Sequence, residues 1–451
     1  MHRPLDRPEL PEAATQQAAR SLRSITAKPV GPADKEALFD PASALSNVAL
    51  APACKRSRGR RPERPLKATF RTRRRVALGI LTALVLLSFH LFGSSGSPTP
   101  AHRAGRSADR QARVVVPPAL PAGGWLSPAI GRGHLQPGSK PSVLPGPILI
   151  ADEGNNRLLV IDPEGRILWR FPQPRDLAPR QTFLIPDDAF FSPNGSQIVA
   201  TEEDDFVISV IDIATRRIVW RYGVAGSPGS GPHQLWNPDD AMLLPDGYLL
   251  AADIKNCRII LVAPRSHTIA RQLGRLGSCT HDPPATFGSP NGVFPMRDGH
   301  YLVTEINGDW VDKIGLNGTV YRSMHPPGVS YPSDTNEISP GRYLTVDYSD
   351  PGQIVIFNAA GKTLWRFAPT GPDALNHPSL ALPLPNGDIL CTDDWNDRVI
   401  IIDPHTNKIV WQYGHTGSPG SALGYLHTPD GIDLLPPHNL LGVHAGSIGL
   451  P

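Results

Sequence analysis

The stretch LNHPSLALPLPNGDILCTDDWNDRVIIIDPHTNKIVWQYG, residues 375–414, decides the fold, because the chain repeats it. An earlier copy, WNPDDAMLLPDGYLLAADIKNCRIILVAPRSHTIARQLG, occupies residues 236–274. Each copy divides into four strand-like pieces. The first follows a proline, the second ends in Asp or Glu, the third opens with Arg and β-branched residues, and the fourth ends in an aromatic. Short β-rich runs bounded by Asn-Gly, Asp-Gly and Pro are antiparallel strands joined by hairpins. Self-similarity at about 45–50 residues with four strands per copy is the signature of a β-propeller.

The count follows from the phase of the repeat. Second strands fall at residues 148–152, 197–202, 248–253, 301–305, 343–347 and 388–393. The aromatic slot of the fourth strand holds Trp169, Trp220, Tyr321, Trp365 and Trp411, with Arg271 the exception. The prolines opening first strands are Pro186, Pro238, Pro290, Pro332, Pro378 and Pro429. Pro429 opens a first strand with no second strand after it, and the strands near Pro147 lack a first strand before them. The C-terminal strand therefore completes the N-terminal blade. The expected fold is an all-β, six-bladed propeller over residues 141–437 with no free sheet edge, followed by a tail, 438–451.

Outside the repeats the composition changes. Pro (50) and Gly (42) make up about a fifth of the 451 residues, as a turn-rich β protein requires. The net charge of +3 is too small to argue for nucleic acid. Most of it sits between Lys55 and Arg75, where eleven Lys and Arg accompany one acid, Glu63. Residues 1–75 read as a disordered basic tail. Residues 76–92, VALGILTALVLLSFHLF, form the one long apolar run, near the lower limit of about 17 residues for a membrane span. Arg71, Arg73, Arg74 and Arg75 abut its start, so the positive-inside rule puts the tail in the cytoplasm and the propeller outside it. The long leader favours a signal-anchor helix over a signal peptide cleaved near residues 93–97. A twin-arginine-like reading of Thr72-Arg73-Arg74-Arg75 requires a start near residue 65. Residues 93–140 read as a flexible stalk rich in Pro, Gly and Ser.

At the hairpin between second and third strands, Asp152-Glu153-Gly154-Asn155-Asn156-Arg157, Asp253-Ile254-Lys255-Asn256-Cys257-Arg258 and Asp393-Asp394-Trp395-Asn396-Asp397-Arg398 share D-x-x-N-x-R. This pattern resembles the NHL repeat. The runs from Ile161 to Trp169 and from Ile402 to Trp411 resemble quinoprotein-like propellers, although the chain has no adjacent cysteine pair for quinone chemistry. HPSLALPLPNGDIL, from His377, resembles bacterial arylsulfotransferases, which are also extracytoplasmic six-bladed propellers.

Candidate site residues come next. His233, His281, His325, His377, His415 and His427 fall in the inter-blade loops. The resemblance to propeller lyases and arylsulfotransferases implies that channel histidines can act as nucleophile, general base or metal ligand. His377 and His427, closest to first-strand prolines, are the catalytic candidates. The alternative is that these are solvated loop residues. Asp187, Asp239 and Asp430, with Asp188, Asp240 and Asp334 nearby, follow first-strand prolines. Around a ring they form an acidic mouth suited to Ca2+ or another hard divalent cation. The competing reading is turn capping by Asp after Pro. The repeated Asp, Asn and Arg of the hairpins read as structural, with Arg pairing to a neighbouring blade. Cys257 and Cys279 lie on one rim and are disulfide candidates, while Cys391 reads as a buried free thiol. The expectation is a membrane-anchored module that binds a protein or small-molecule ligand on the rim. The alternative is a propeller enzyme, for sulfuryl transfer or metal-dependent lysis, using channel histidines.

Overall fold

In a computed structural model of the protein, residues 132–442 are described. The tail (1–75), the apolar run (76–92) and most of the stalk lie outside these residues. Among the described residues no helix is long and apolar enough to cross a membrane.

The architecture is six four-stranded antiparallel sheets. Blade 1 contains β1 (Ile148–Asp152), β2 (Arg157–Ile161) and β3 (Ile167–Phe171). Blade 2 is β4 (Pro186–Phe191), β5 (Gln197–Glu202), β6 (Val207–Asp212) and β7 (Arg217–Gly223). Blade 3 is β8 (Pro238–Leu243), β9 (Leu249–Asp253), β10 (Arg258–Ala263) and β11 (Thr268–Leu273). Blade 4 is β12 (Pro290–Pro295), β13 (Tyr301–Glu305), β14 (Trp310–Ile314) and β15 (Val320–Met324). Blade 5 is β16 (Pro332–Ser339), β17 (Arg342–Asp347), β18 (Gln353–Asn358) and β19 (Thr363–Phe367). Blade 6 is β20 (Ala381–Pro383), β21 (Ile389–Asp393), β22 (Arg398–Asp403) and β23 (Lys408–Gly414).

The last strand, β24 (Pro429–Leu434), pairs with β1 and closes the ring, with Ile148 opposite Leu434 and Ile150 opposite Ile432. The expected six blades and their closure are therefore present. The apolar core lies between neighbouring sheets. Leu149, Ala151 and Phe171 of blade 1, for example, cluster with Ala189, Phe191 and Ile198 of blade 2. Alternation along each strand gives every middle strand two buried faces, one toward each neighbour.

Residues flanking the strands pack onto the propeller at both ends. The end of the stalk is not free. Gln136 N–H donates to Gln412 O at 3.0 Å and Lys140 N–H to Val410 O at 2.9 Å. The segment thus covers the outer edge of β23, whose backbone groups would otherwise be unpaired. At the other end, Leu440 and Leu441 are buried in a short helical turn, so the start of the tail belongs to the propeller.

One irregularity positions the site. In five blades the antiparallel register slips just after the first-strand proline, between Pro186 and Ala189, Pro238 and Ala241, Pro290 and Val293, Pro332 and Thr335, and Pro429 and Ile432. The two residues in each gap are bulged out of the ladder, and a bulge re-aims side chains. In blade 6 the strand instead begins at Ala381, three residues after Pro378.

Candidate functional site

The bulges carry two tiers of side chains into the ring. The residues directly after the prolines are Asp430, Asp187, Asp239, Asn291, Ser333 and Ser379 in blade order. This tier is acidic on one side and neutral on the other. On the neutral side Asn291 Nδ2 donates to Ser333 Oγ at 3.1 Å, and Ser333 Oγ lies 3.3 Å from Ser379 Oγ. The second tier is Gly431, Asp188, Asp240, Gly292, Asp334 and Leu380. All three of its aspartates are almost completely buried.

Oxygens of Asp188, Asp240 and Asp334 converge within 4.8 Å of one another. Two glycines make this possible. A Cβ on residue 431 would sit 2.6 Å from Asp188 Cα, so only glycine lets these neighbouring strands approach. A Cβ on residue 292 would sit 2.4 Å from Asp334 Oδ1 and 3.3 Å from Asp240 Oδ2. Asp334 thus reaches across blade 4 through space that a side chain at 292 would fill. That same point is 3.2 Å from Thr304 Oγ1, a buried hydroxyl with no hydrogen-bond partner.

The electrostatics of this cluster are unbalanced. Asp240 Oδ2 accepts Val293 N–H at 2.8 Å, but its Oδ1, Asp188 Oδ1 and both oxygens of Asp334 have no partner beyond one another's carboxyls. Burial pushes the Asp188 carboxyl up to about 7, and Asp430 adds to the shift. Burial, then the neighbouring carboxylates, hold Asp239, Asp240 and Asp334 well above the usual range. Among the described residues no Arg or Lys makes an ion pair with the second-tier aspartates. Three carboxyls and a hydroxyl, all oxygen, suit a hard divalent cation of the calcium type.

The expected metal residues are placed as follows. Asp187 meets Asp430 and Glu153 in one group, and Asp188 and Asp239 in another. Asp239 and Asp430 do not share a group. These aspartates lie within the first strands, at the bulge after each proline. In the convergent triple Asp188 and Asp240 each follow an expected residue by one position, and Asp334 of blade 5 stands where Asp430 of blade 1 was expected, since Gly431 follows Asp430.

The catalytic candidates are held in different junctions. His377 stacks on Trp395 at 3.6 Å, and its Nδ1 lies 2.6 Å from Asn376 Oδ1. Its φ of 53° matches that of Asn237, Ser289 and Thr428, each also preceding a first-strand proline. His427 packs its ring over Gly154 and donates its N–H to Asp152 Oδ1 at 2.8 Å. Neither histidine belongs to a convergent group of metal-ligating atoms among the described residues.

The hairpin motif is structural, with one correction. Arg157, Arg258 and Arg398 pair with the aspartate of their own blade, through Nε contacts of 2.5, 2.7 and 2.7 Å. They do not cross to the next blade. Each also reaches carbonyls of the loop entering the same blade, as Arg258 NH2 does to Gln234 O at 3.0 Å, while NH1 of Arg258 donates to Gln272 Oε1 and NH1 of Arg398 to Thr416 Oγ1. Cys257 and Cys279 are joined by a disulfide, and Cys391 is a buried free thiol.

No protein-family model matches the chain, and no curated protein matches it significantly. Solved structures of similar fold include a protein of unknown function from Bacteroides caccae, at 18% identity and TM-score 0.47, covering 64% of this chain and 98% of that one. A streptogramin B lyase follows at 16% identity and TM-score 0.42, covering 63% and 85%. A virginiamycin B lyase from Staphylococcus aureus aligns at 17% identity and TM-score 0.41, covering 59% and 83%. At these identities the likeness concerns fold alone, and the chain is a six-bladed β-propeller.

Proposed function

We propose that the protein is a cation-loaded binding module, tethered to a membrane by residues 76–92 with its propeller on the extracytoplasmic side. The observation that carries the cation is the convergence of Asp188, Asp240 and Asp334 beside the unpartnered Thr304 hydroxyl. A divalent ion there would neutralise carboxyls that nothing else balances and would tie together strands from blades 2, 3 and 5. The rim supports the binding role. Leu184, Val224, Trp236, Leu276 and Leu423 are exposed there, in the loops that enter first strands. Large exposed apolar side chains gathered on one face mark an interaction surface for a protein or an amphipathic small molecule.

The test is a Ca2+ titration of the chelator-treated full chain by calorimetry. About one equivalent should bind, and Asp240→Asn should weaken binding at least about tenfold. Gly292→Ala should do the same by displacing the Asp334 carboxyl. No uptake by the parent protein, or uptake by both variants equal to the parent's, refutes the channel site.

A further inference from the structure

Blade 4 departs from the repeat in a way that none of the other blades does. In all six blades the acid ending the second strand accepts an N–H from the loop two residues before the first-strand proline. The donors are His427, Leu184, Trp236, Gly288, Ser330 and Asn376, at 2.5–3.1 Å. In five blades a second donor faces that acid from within the sheet: Arg157, Arg221, Arg258, Gln353 or Arg398. Blade 4 has no such donor. Where blade 2 pairs Ser209 with Arg221, blade 4 pairs Asp312 with Ser323. Glu305 therefore faces a second carboxylate in place of a cation.

Both side chains are fully buried against each other, and among the described residues no Arg or Lys forms an ion pair with either. A loop histidine completes the group. His281 Nδ1 lies 3.2 Å from Glu305 Oε1 and 3.6 Å from Asp312 Oδ2, and all three ligand atoms fall within 4.8 Å. The imidazole is held by stacking on Trp310 at 4.0 Å, with His325 on Trp310 in turn at 3.6 Å. The Cys257–Cys279 disulfide anchors the same loop two residues earlier. The His281 side chain keeps 18% exposure, which leaves an approach from solvent.

We propose that His281, Glu305 and Asp312 form a second metal centre, for a borderline divalent ion of the zinc class. One imidazole and two carboxylates at this spacing match a three-ligand site with an open position. The nitrogen ligand distinguishes it from the all-oxygen channel cluster, and it does not depend on that cluster.

The test uses the full chain, stripped of metal, with Zn2+ as the probe in equilibrium dialysis and thermal unfolding. The parent should take up about one equivalent at this site and gain in Tm. His281→Ala should weaken uptake at least about tenfold. Asp312→Asn should lose uptake while raising the Tm of the stripped protein, because it removes the crowding charge without emptying the space. Asp240→Asn, in the channel, should leave Zn2+ uptake intact, which separates this site from the channel. Equal Zn2+ stoichiometry in the parent, His281→Ala and Asp312→Asn, or no uptake by the parent, overturns the proposal. So does a stripped Asp312→Asn protein less stable than the parent, since that makes Asp312 a structural partner.

Discussion

Arg258 shows what the repeated hairpin motif does at the level of one side chain. Its guanidinium, 2% exposed, bonds Asp253, Gln272 and the Gln234 carbonyl together. Burial raises the Asp253 carboxyl, and Arg258 opposes that shift. Removing the arginine would leave a buried carboxylate uncompensated, which costs about 3–5 kcal/mol. Arg258→Met should lower the urea midpoint accordingly, and adding Asp253→Asn should recover much of the loss. A double variant no more stable than the single one would assign the effect to packing. The candidate sites were only partly legible at this scale. Acidic residues after prolines were visible in the sequence, but a bulge decides whether Asp187 or Asp188 points inward, and bulges leave no mark in composition. The blade 4 cluster joins His281, Glu305 and Asp312 across a loop and two strands. Its sequence signals are His281, one of the loop histidines, and Trp310, which opens a third strand where Arg stands in the motif blades.

The elements are stitched together by the aromatic slot of the fourth strand. Trp169 Nε1 donates to Ile213 O at 3.1 Å, Trp220 to Pro264 O at 3.0 Å and Trp411 to Pro163 O at 2.9 Å. Trp365 reaches Asn407 Oδ1 at 2.8 Å. Each bond ties one blade to the outer hairpin of the next, including blade 6 to blade 1. Arg271 and Arg322 take this register position in blades 3 and 4, with Tyr321, expected in the slot from the sequence, at the bulge beside it. The indole is missing from both joins, and Arg322 NH1 donates to Ala359 O at 2.9 Å in its place. Trp220→Phe keeps the ring and deletes the donor, leaving a carbonyl without its partner. A loss of about 1 kcal/mol is expected in chemical unfolding. Tyr321→Phe, at an exposed ring, should change stability by less, and an equal loss in both would contradict a staple specific to the indole. The strands themselves were legible from the sequence because hairpin punctuation and alternation recur six times, and errors in one copy are corrected by the others. The shortening of β20 was not legible, because Pro378-Ser379-Leu380 reads as a strand by propensity and leaves the ladder only through tertiary geometry.

For the whole molecule, a ring that converges six first strands also concentrates buried carboxyls, and this gives a pH dependence of definite sign. Asp188 rises from 3.8 to about 7 and Asp433 from 3.8 to about 8, both chiefly through burial. Burial likewise lifts Glu202 from 4.5 to about 6. A carboxyl whose folded pKa exceeds its unfolded value binds more protons in the folded state. Its contribution is fully present below the unfolded value and is lost as pH rises through the folded value. The metal-free propeller should therefore lose stability between about pH 4 and pH 8, by an amount on the order of several kcal/mol. A bound divalent cation takes over the role of the protons, so the stabilisation by Ca2+ should grow with pH over the same window. Thermal unfolding of the chelator-treated full chain at pH 5, 6, 7 and 8, with and without Ca2+, measures both trends. Asp334→Asn should flatten the metal-free slope and shrink the Ca2+ increment together, because one carboxyl serves both effects. A metal-free Tm that is constant or rises from pH 5 to pH 8 would mean that the channel carboxyls are balanced by something other than protons or a cation.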